Sequence, residues 1–215
     1  MKIELQNVLP GDIEKRSMQI IEGECAERGI VLDPVTAPVL KRVIHTTADF
    51  DYAENLVFSN GGFDAGLAAL KGGAHIFTDT KMAFSGINKT ALGKLGCEAH
   101  CFISDDDVVE AAKHEGSTRA VAAVNKAAGY GDGSVFVIGN APTALIRIYE
   151  LIEEGRLAPA LVVGVPVGFV NVVESKELIL QASVPAIVAR GRKGGSNVAA
   201  SIVNALSYIA TGRTL

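Results

Sequence analysis

The richest concentration of chemically capable residues lies near the C-terminal end of the chain. Arg190, Arg192 and Lys193 are followed by Gly194, Gly195 and Ser196, immediately ahead of a helical pattern. Free backbone amides and the helix dipole favour an anion at such a place, and arginine adds forked donors that match carboxylate or phosphate. A helix start alone would prefer acidic residues, so three cations there point to an anionic ligand rather than to a solvated basic turn. Arg119 repeats the logic. Gly116 closes one helix, Ser117 is read as the cap of the next, and Arg119 falls in the first turn, where a cation is disfavoured. A ligand carboxylate explains it as well as a surface salt bridge does. Ser17 interrupts the apolar stripe Ile13, Ile20, Ile21, and a bond back to a helix carbonyl is its simplest explanation. Of the four histidines, His75 starts a strand and His114 ends an exposed helix, which argues against catalysis. His45 flanks the stripe Leu40, Val43, Ile44 near a helix end, where a capping or half-buried ring is the ordinary reading.

Several apparent motifs fail on mechanism. Gly129, Gly131 and Gly133 precede a strand, whereas a dinucleotide fingerprint needs glycines after one. Gly93-Lys94 lacks the Ser or Thr of a phosphate loop. Cys97, His100 and Cys101 lie on one strand, where His100 points away from both thiols, so no metal site is expected. Asp105, Asp106 and Asp107 are read as a helix cap with favourable dipole charge rather than a magnesium site.

These residues need a scaffold. Short apolar runs at 74–78, 97–104, 134–139, 160–164 and 185–189 read as buried parallel strands, each followed by helical spacing. The pattern predicts an α/β fold: a doubly wound, mainly parallel five-stranded sheet, with an order such as 2-1-3-4-5, in residues 73–215. Helices are expected over about 141–154 and 196–210. In residues 1–72 helices are expected at about 13–28, capped by Asp12, from Asp33-Pro34 to about Thr46, and at 63–70, with no strand. That segment reads as a helical lead-in packed on the sheet within a single domain. Ligands of open α/β sheets bind beyond the carboxyl ends of the strands. There the sequence places Thr80 and Lys81 after the first strand and Asn140 and Thr143 after the third.

Composition narrows the class. The 215 residues are 48% hydrophobic and 20% charged with net charge −4, which excludes a disordered chain and a polybasic nucleic-acid binder. The longest uncharged stretch, 157–173, contains two prolines and two glycines and is too short to span a membrane. The N-terminal stretch Met1–Leu5 shows no export signal. Three cysteines, an odd number, point to reduced thiols in the cytoplasm.

Together, Glu14–Ile21 (EKRSMQII), Arg42–Thr46 (RVIHT), Ser117–Ala123 (STRAVAA), Ile138–Leu145 (IGNAPTAL), Gly164–Lys176 (GVPVGFVNVVESK) and Arg190–Ser196 (RGRKGGS) resemble the precorrin-8X methylmutase family of cobalamin biosynthesis, including its cobalt-precorrin-8 branch. The resemblance implies an isomerase that moves a methyl group from C11 to C12 of a corrin precursor, giving hydrogenobyrinate or cobyrinate. It also implies a homodimer, a flavodoxin-like sheet and no cofactor. His45 would be the general acid, protonating a macrocycle nitrogen and easing a 1,5-sigmatropic shift. Acetate and propionate groups on the macrocycle would account for local cations in an acidic protein. Ser17, Arg119, Arg190, Arg192 and Lys193, with Gly194, Gly195 and Ser196, become carboxylate contacts, and Thr80, Lys81, Asn140 and Thr143 lesser ones. Two rivals remain at this point: a non-catalytic tetrapyrrole carrier, and another α/β enzyme acting on a polycarboxylate metabolite.

Overall fold

The computed structural model describes residues 7–213; the stretch Met1–Leu5 lies outside them. In chain order the elements are α1 (Ile13–Glu27), α2 (Ala37–Thr47), α3 (Tyr52–Asn55), β1 (Leu56–Ser59), α4 (Gly62–Lys71), β2 (His75–Thr78), α5 (Lys81–Gly86), α6 (Lys89–Lys94), β3 (Glu98–His100), α7 (Asp106–His114), α8 (Arg119–Ala128), β4 (Val135–Ile138), α9 (Pro142–Glu153), β5 (Leu161–Gly164), α10 (Val172–Gln181), β6 (Ala186–Ala189) and α11 (Ser196–Ala210). The sheet has six strands rather than five, in the order β1-β6-β5-β4-β2-β3. Counted from β2, the five parallel strands run 2-1-3-4-5. The order reverses between β2 and β4, and their carboxyl ends flank the crevice where such sheets bind ligands.

The strands β4, β5 and β6 (VFVI, LVVG, AIVA) are buried throughout because helices cover both faces. Alternation divides the core. Val135, Val137, Leu161 and Val163 pack with residues of α2, α4, α5, α6 and α11. Phe136, Ile138 and Val162 pack against α8, α9 and α10 on the other side. Helix α2 joins its cluster through Val39, Leu40 and Val43, lying chiefly on α11. Helix α1 then lies on α2, through Met18, Ile21 and Cys25 against Ile44. A fully buried Val, Leu or Ile such as Val39, Val43 or Ile44 contributes roughly 1.5–3 kcal/mol.

The lead-in is not purely helical. Strand β1 pairs antiparallel with β6, Leu56 opposite Ala189 and Ser59 opposite Ala186. It is short and three of its four residues are only half-buried, so no strong hydrophobic period announces it. The turn after it holds Asn60 and Gly61 in the left-handed region, and the Asn60 amide donates to the carbonyls of Ala182 and Val184. Strand β3 is shorter than expected, ending at His100, beyond which Phe102 and Ile103 pack toward the α8 side. Caps differ too. Asp12 occupies the N-cap position of α1 without a side-chain cap bond. Helix α2 starts at Ala37 rather than at Asp33-Pro34, because the Asp33 carboxylate bonds the Thr36 amide and hydroxyl in a preceding turn. Thr118, not Ser117, caps α8.

Gly62 tests the β1–β6 junction. A Cβ there would sit 2.3 Å from the Ala186 carbonyl oxygen, a backbone atom that cannot step aside. Gly62→Ala is therefore expected to destabilise the fold by roughly 1–3 kcal/mol or more, measured by urea unfolding; an unchanged midpoint would contradict this packing.

Candidate active site at the carboxyl edge of the sheet

The edge is organised by Asp79, just beyond β2. Its side chain is 5% exposed. One oxygen accepts the Gly139 amide at 2.9 Å, and the other accepts the amides of Asn140 and Ala141, both at 2.7 Å. Burial pushes the Asp79 carboxyl above its ordinary range, and the three amides oppose that shift. The bonds fix the turn from β4 into α9, leaving Asn140 exposed at its crest. Next to it the Thr80 hydroxyl caps α5 by accepting the Ala83 amide at 3.0 Å and shares a 2.7 Å hydrogen bond with Ser196. A Cβ on Gly139 would lie 2.7 Å from the Ser196 Cα. The ends of β2 and β4 and the start of α11 therefore form one packed unit. Ser196 opens α11 but does not cap it; the N-cap position is Gly195.

The loop after β6 is laced to the loop after β5. Lys176, on α10 and fully buried, donates from Nζ to the carbonyls of Gly191 and Lys193, both at 2.8 Å. Burial lowers its pKa to about 8. The Gly195 amide donates to the Val165 carbonyl at 2.8 Å, and the Gly168 amide to the Arg192 carbonyl at 3.2 Å. Gly194 approaches so closely that a Cβ would stand 2.1 Å from the Val165 oxygen.

The cations on this frame differ in availability. Arg190 lies 3.4 Å from the Glu177 carboxylate. Arg192 has no carboxylate partner among the described residues, and its guanidinium sits 5.4 Å from the Phe169 ring centroid. Lys193 is held by Asp49 at 2.6 Å and Asp51 at 2.5 Å. That pairing raises the Lys193 pKa and lowers that of Asp49. Lys81 and Arg119 are exposed with no ion-pair partner among the described residues. Thr118 joins Thr143 at 3.1 Å, which brings the start of α8, and with it Arg119, beside the start of α9. Phe169, Val170 and Met82 expose large apolar surfaces on the same rim, at 82%, 77% and 71%.

His45 is exposed in the last turn of α2, which ends at Ala48 in the left-handed region. The Asp49–Lys193 and Asp51–Lys193 pairs connect the segment just after this turn to the basic loop. One turn before His45, Arg42 pairs with Glu14 of α1, whose carboxyl is held down chiefly by that bond, with a smaller contribution from His45. Ser17, one turn beyond Glu14, donates to the Ile13 carbonyl at 3.0 Å. No contact among the described residues ties Ser17 to the rim, so it stands with His45 on the α1–α2 side. Sequence reasoning gave no role to Asp49, Asp51, Asp79 or Lys176. The available signal was a lysine set among apolar positions of α10 and an aspartate directly following a buried strand.

A mostly parallel sheet covered by helices, whose carboxyl edge gathers arginines, an unpaired lysine and backbone turns beside an exposed histidine, defines an α/β protein with a cationic rim. The sequence profile of the precorrin-8X methylmutase family matches residues 12–209. The chain is 43% identical over 210 residues to the cobalt-precorrin-8 methylmutase of Leptospira interrogans, covering 94% of each chain. To that of Salmonella typhimurium it is 51% identical over 176 residues, 81% of this chain and 82% of the relative. The precorrin-8X methylmutase of Pseudomonas aeruginosa is 40% identical over 197 residues, 91% and 93% of the two chains. The solved precorrin-8X methylmutase of Thermus thermophilus superposes with a TM-score of 0.86 at 40% identity, over 95% of this chain and all of that one. The chain belongs to the precorrin-8X methylmutase family, isomerases of cobalamin biosynthesis.

Lys176 gives this site a pH signature. Its pKa falls from 10.5 to about 8 on folding, so above pH 8 the unfolded chain binds more protons than the folded one. The lysine's contribution to stability should therefore improve between about pH 8 and 10.5, by up to about 3 kcal/mol at 1.36 kcal/mol per unit. A neutral amine still has donors for both carbonyls. In Lys176→Met the loop carbonyls lose their donor, costing about 1–3 kcal/mol, and this pH-dependent component should vanish. Parallel stability–pH curves for the two proteins would refute the assignment.

Proposed function

We propose that this chain moves a methyl group from C11 to C12 of precorrin-8X or cobalt-precorrin-8, with His45 as general acid. One C–CH3 bond breaks and a neighbouring one forms, and the proton lent to the ring nitrogen is returned, so no atoms are gained or lost. The reading rests above all on the exposed cations Arg119, Lys81 and Arg192, which have no carboxylate of the protein to neutralise them among the described residues. An acidic protein that leaves such groups unpaired around a ligand crevice is matched to a ligand that brings its own carboxylates.

On this reading Arg119, Lys81 and Arg192 are the available hands for acetate and propionate groups. Lys193 joins them by exchanging Asp49 or Asp51 for a substrate carboxylate, and Arg190 by exchanging Glu177. Gly194 and Ser196 contribute amides at the start of α11, beside Gly195, whose own amide is held by the Val165 carbonyl, with Thr80, Asn140 and Thr143 along the crevice and Ser17 on the α1–α2 side. Phe169, Val170 and Met82 supply apolar surface for the face of the ring. Holding the ring in a reactive shape provides the remainder of catalysis, with no dissociable cofactor. We assign the site to a homodimer in the cytoplasm; three free cysteines agree with a reducing compartment, and no helix of the described residues is long and apolar enough to cross a membrane. The sheet's likeness to flavodoxin-like folds rests on the 2-1-3-4-5 order of its parallel strands.

Methyl migration alters the ring's conjugation, so absorbance spectra taken during incubation with metal-free and cobalt-bearing substrate separate an enzyme from a carrier. Saturable binding without spectral conversion of either substrate would favour the carrier. His45→Ala should keep the fold and most of the binding while kcat falls by about 10²–10⁴, roughly 3–5 kcal/mol of barrier, with little change in KM. A folded variant with near-normal kcat would remove His45 from the chemistry.

Arg192→Ala should weaken product binding and its dependence on salt while changing stability by less than ~1 kcal/mol. Salt titrations that superimpose on those of the parent protein would remove Arg192 from the carboxylate contacts.

A further inference from the structure

At the opposite end of β2 from Thr80 a second cluster stands apart from the proposed chemistry. β2 and β3 run parallel with His75 opposite Glu98 and Phe77 opposite His100. Glu98 and His100 are two residues apart, so all three side chains project from one face of the sheet, toward the side of α8. His75 Nδ1 lies 3.1 Å from His100 Nε2, and each nitrogen lies 3.9 Å from Glu98 Oε2. Two imidazole nitrogens facing each other can share one hydrogen, or can direct two lone pairs at one cation.

The dimensions favour the cation. A tetrahedral zinc ion with bonds of about 2.0–2.1 Å spaces its ligand atoms about 3.3–3.4 Å apart, and the observed separations lie on either side of that value. The Glu98 side chain is 70% exposed and free to swing the remaining half ångström. The rings are already oriented: His100 stacks on Phe77 and Phe102, and Tyr130 lies 5.3 Å from both histidines. A cavity of about 400 Å³ opens beside His75, bounded by Tyr130 and Asp132, and the exposed Glu98 side leaves the cluster open to solvent.

We propose that His75, Glu98 and His100 form a binding site for a zinc-class divalent cation, with water completing the coordination. The bound ion would fasten the three-residue edge strand β3 to β2. It is distinct from any cobalt carried by the substrate, because its ligands project from the α8 face of β2 and β3, with His75 at the amino end of β2, whereas the proposed substrate crevice lies beyond the carboxyl ends of the strands.

The test titrates tag-free, chelator-stripped protein with Zn²⁺ alone by calorimetry, and with Co²⁺ alone by visible absorption. One equivalent per chain and a tetrahedral cobalt spectrum are expected. His75→Gln and Glu98→Gln change exposed side chains and should leave folding and turnover intact. Each should weaken Zn²⁺ binding by about tenfold or more, since even outer groups around metal sites commonly cost 10–100-fold. His100→Ala should abolish the cobalt spectrum. Failure of the parent protein to bind either ion at about millimolar concentration would overturn the proposal. So would Zn²⁺ binding of the same strength and stoichiometry in His75→Gln and Glu98→Gln.

Discussion

The carboxylate of Asp79 holds the crevice together. Three consecutive amides of the β4–α9 turn converge on two oxygens buried at the point where the strand order reverses. The amides of this turn lie between a strand and a helix and find no partner in either, and Asp79 satisfies them from beneath. The same placement leaves Asn140 and the start of α9 facing outward. Thr80, one residue on, bonds to Ser196. The ends of β2 and β4 that meet the start of α11 are thus fixed by adjacent residues of one short segment.

Lys176 plays the matching part for the basic loop. Its buried ammonium donates to carbonyls of the very loop that carries Arg190, Arg192 and Lys193. A flexible loop dense in like charge would spread under its own repulsion. Here carbonyls turned inward toward Lys176, a glycine pressed against the Val165 oxygen and the Asp49 and Asp51 carboxylates set its course. The cost is a charge removed from water, visible as the depressed pKa of Lys176. Such an arrangement gives up stability in exchange for a defined loop, a common compromise at binding sites.

Buried parallel strands and amphipathic helices were legible in the sequence because their signal is periodic and long. β4, β5, β6 and α11 fall within a residue of the expected bounds. β1 was not legible: LVFS is four residues long, mostly half-buried, and becomes a strand only because β6 offers an edge 133 residues away (189 − 56). The site followed the same rule. Arg190–Ser196 and Arg119 stood out because cations at helix starts break a local electrostatic preference. Asp79 and Lys176 did not, since their partners are backbone groups 60 and 15 residues distant. His100 was weighed against Cys97 and Cys101 along its own strand, while the side chain it meets belongs to the neighbouring one.

The β1–β6 pairing also governs how the chain emerges from the ribosome. Leu56 cannot meet Ala189 until that residue has been synthesised and has cleared the exit tunnel, and α2 likewise waits for α11. During most of translation the N-terminal quarter therefore holds apolar faces with no native surface to cover them. Contacts of such sequence separation slow folding and expose the nascent chain to aggregation. The segment from β6 to α11 acts as a closing piece, after which β1 and α2 gain the surfaces that cover them.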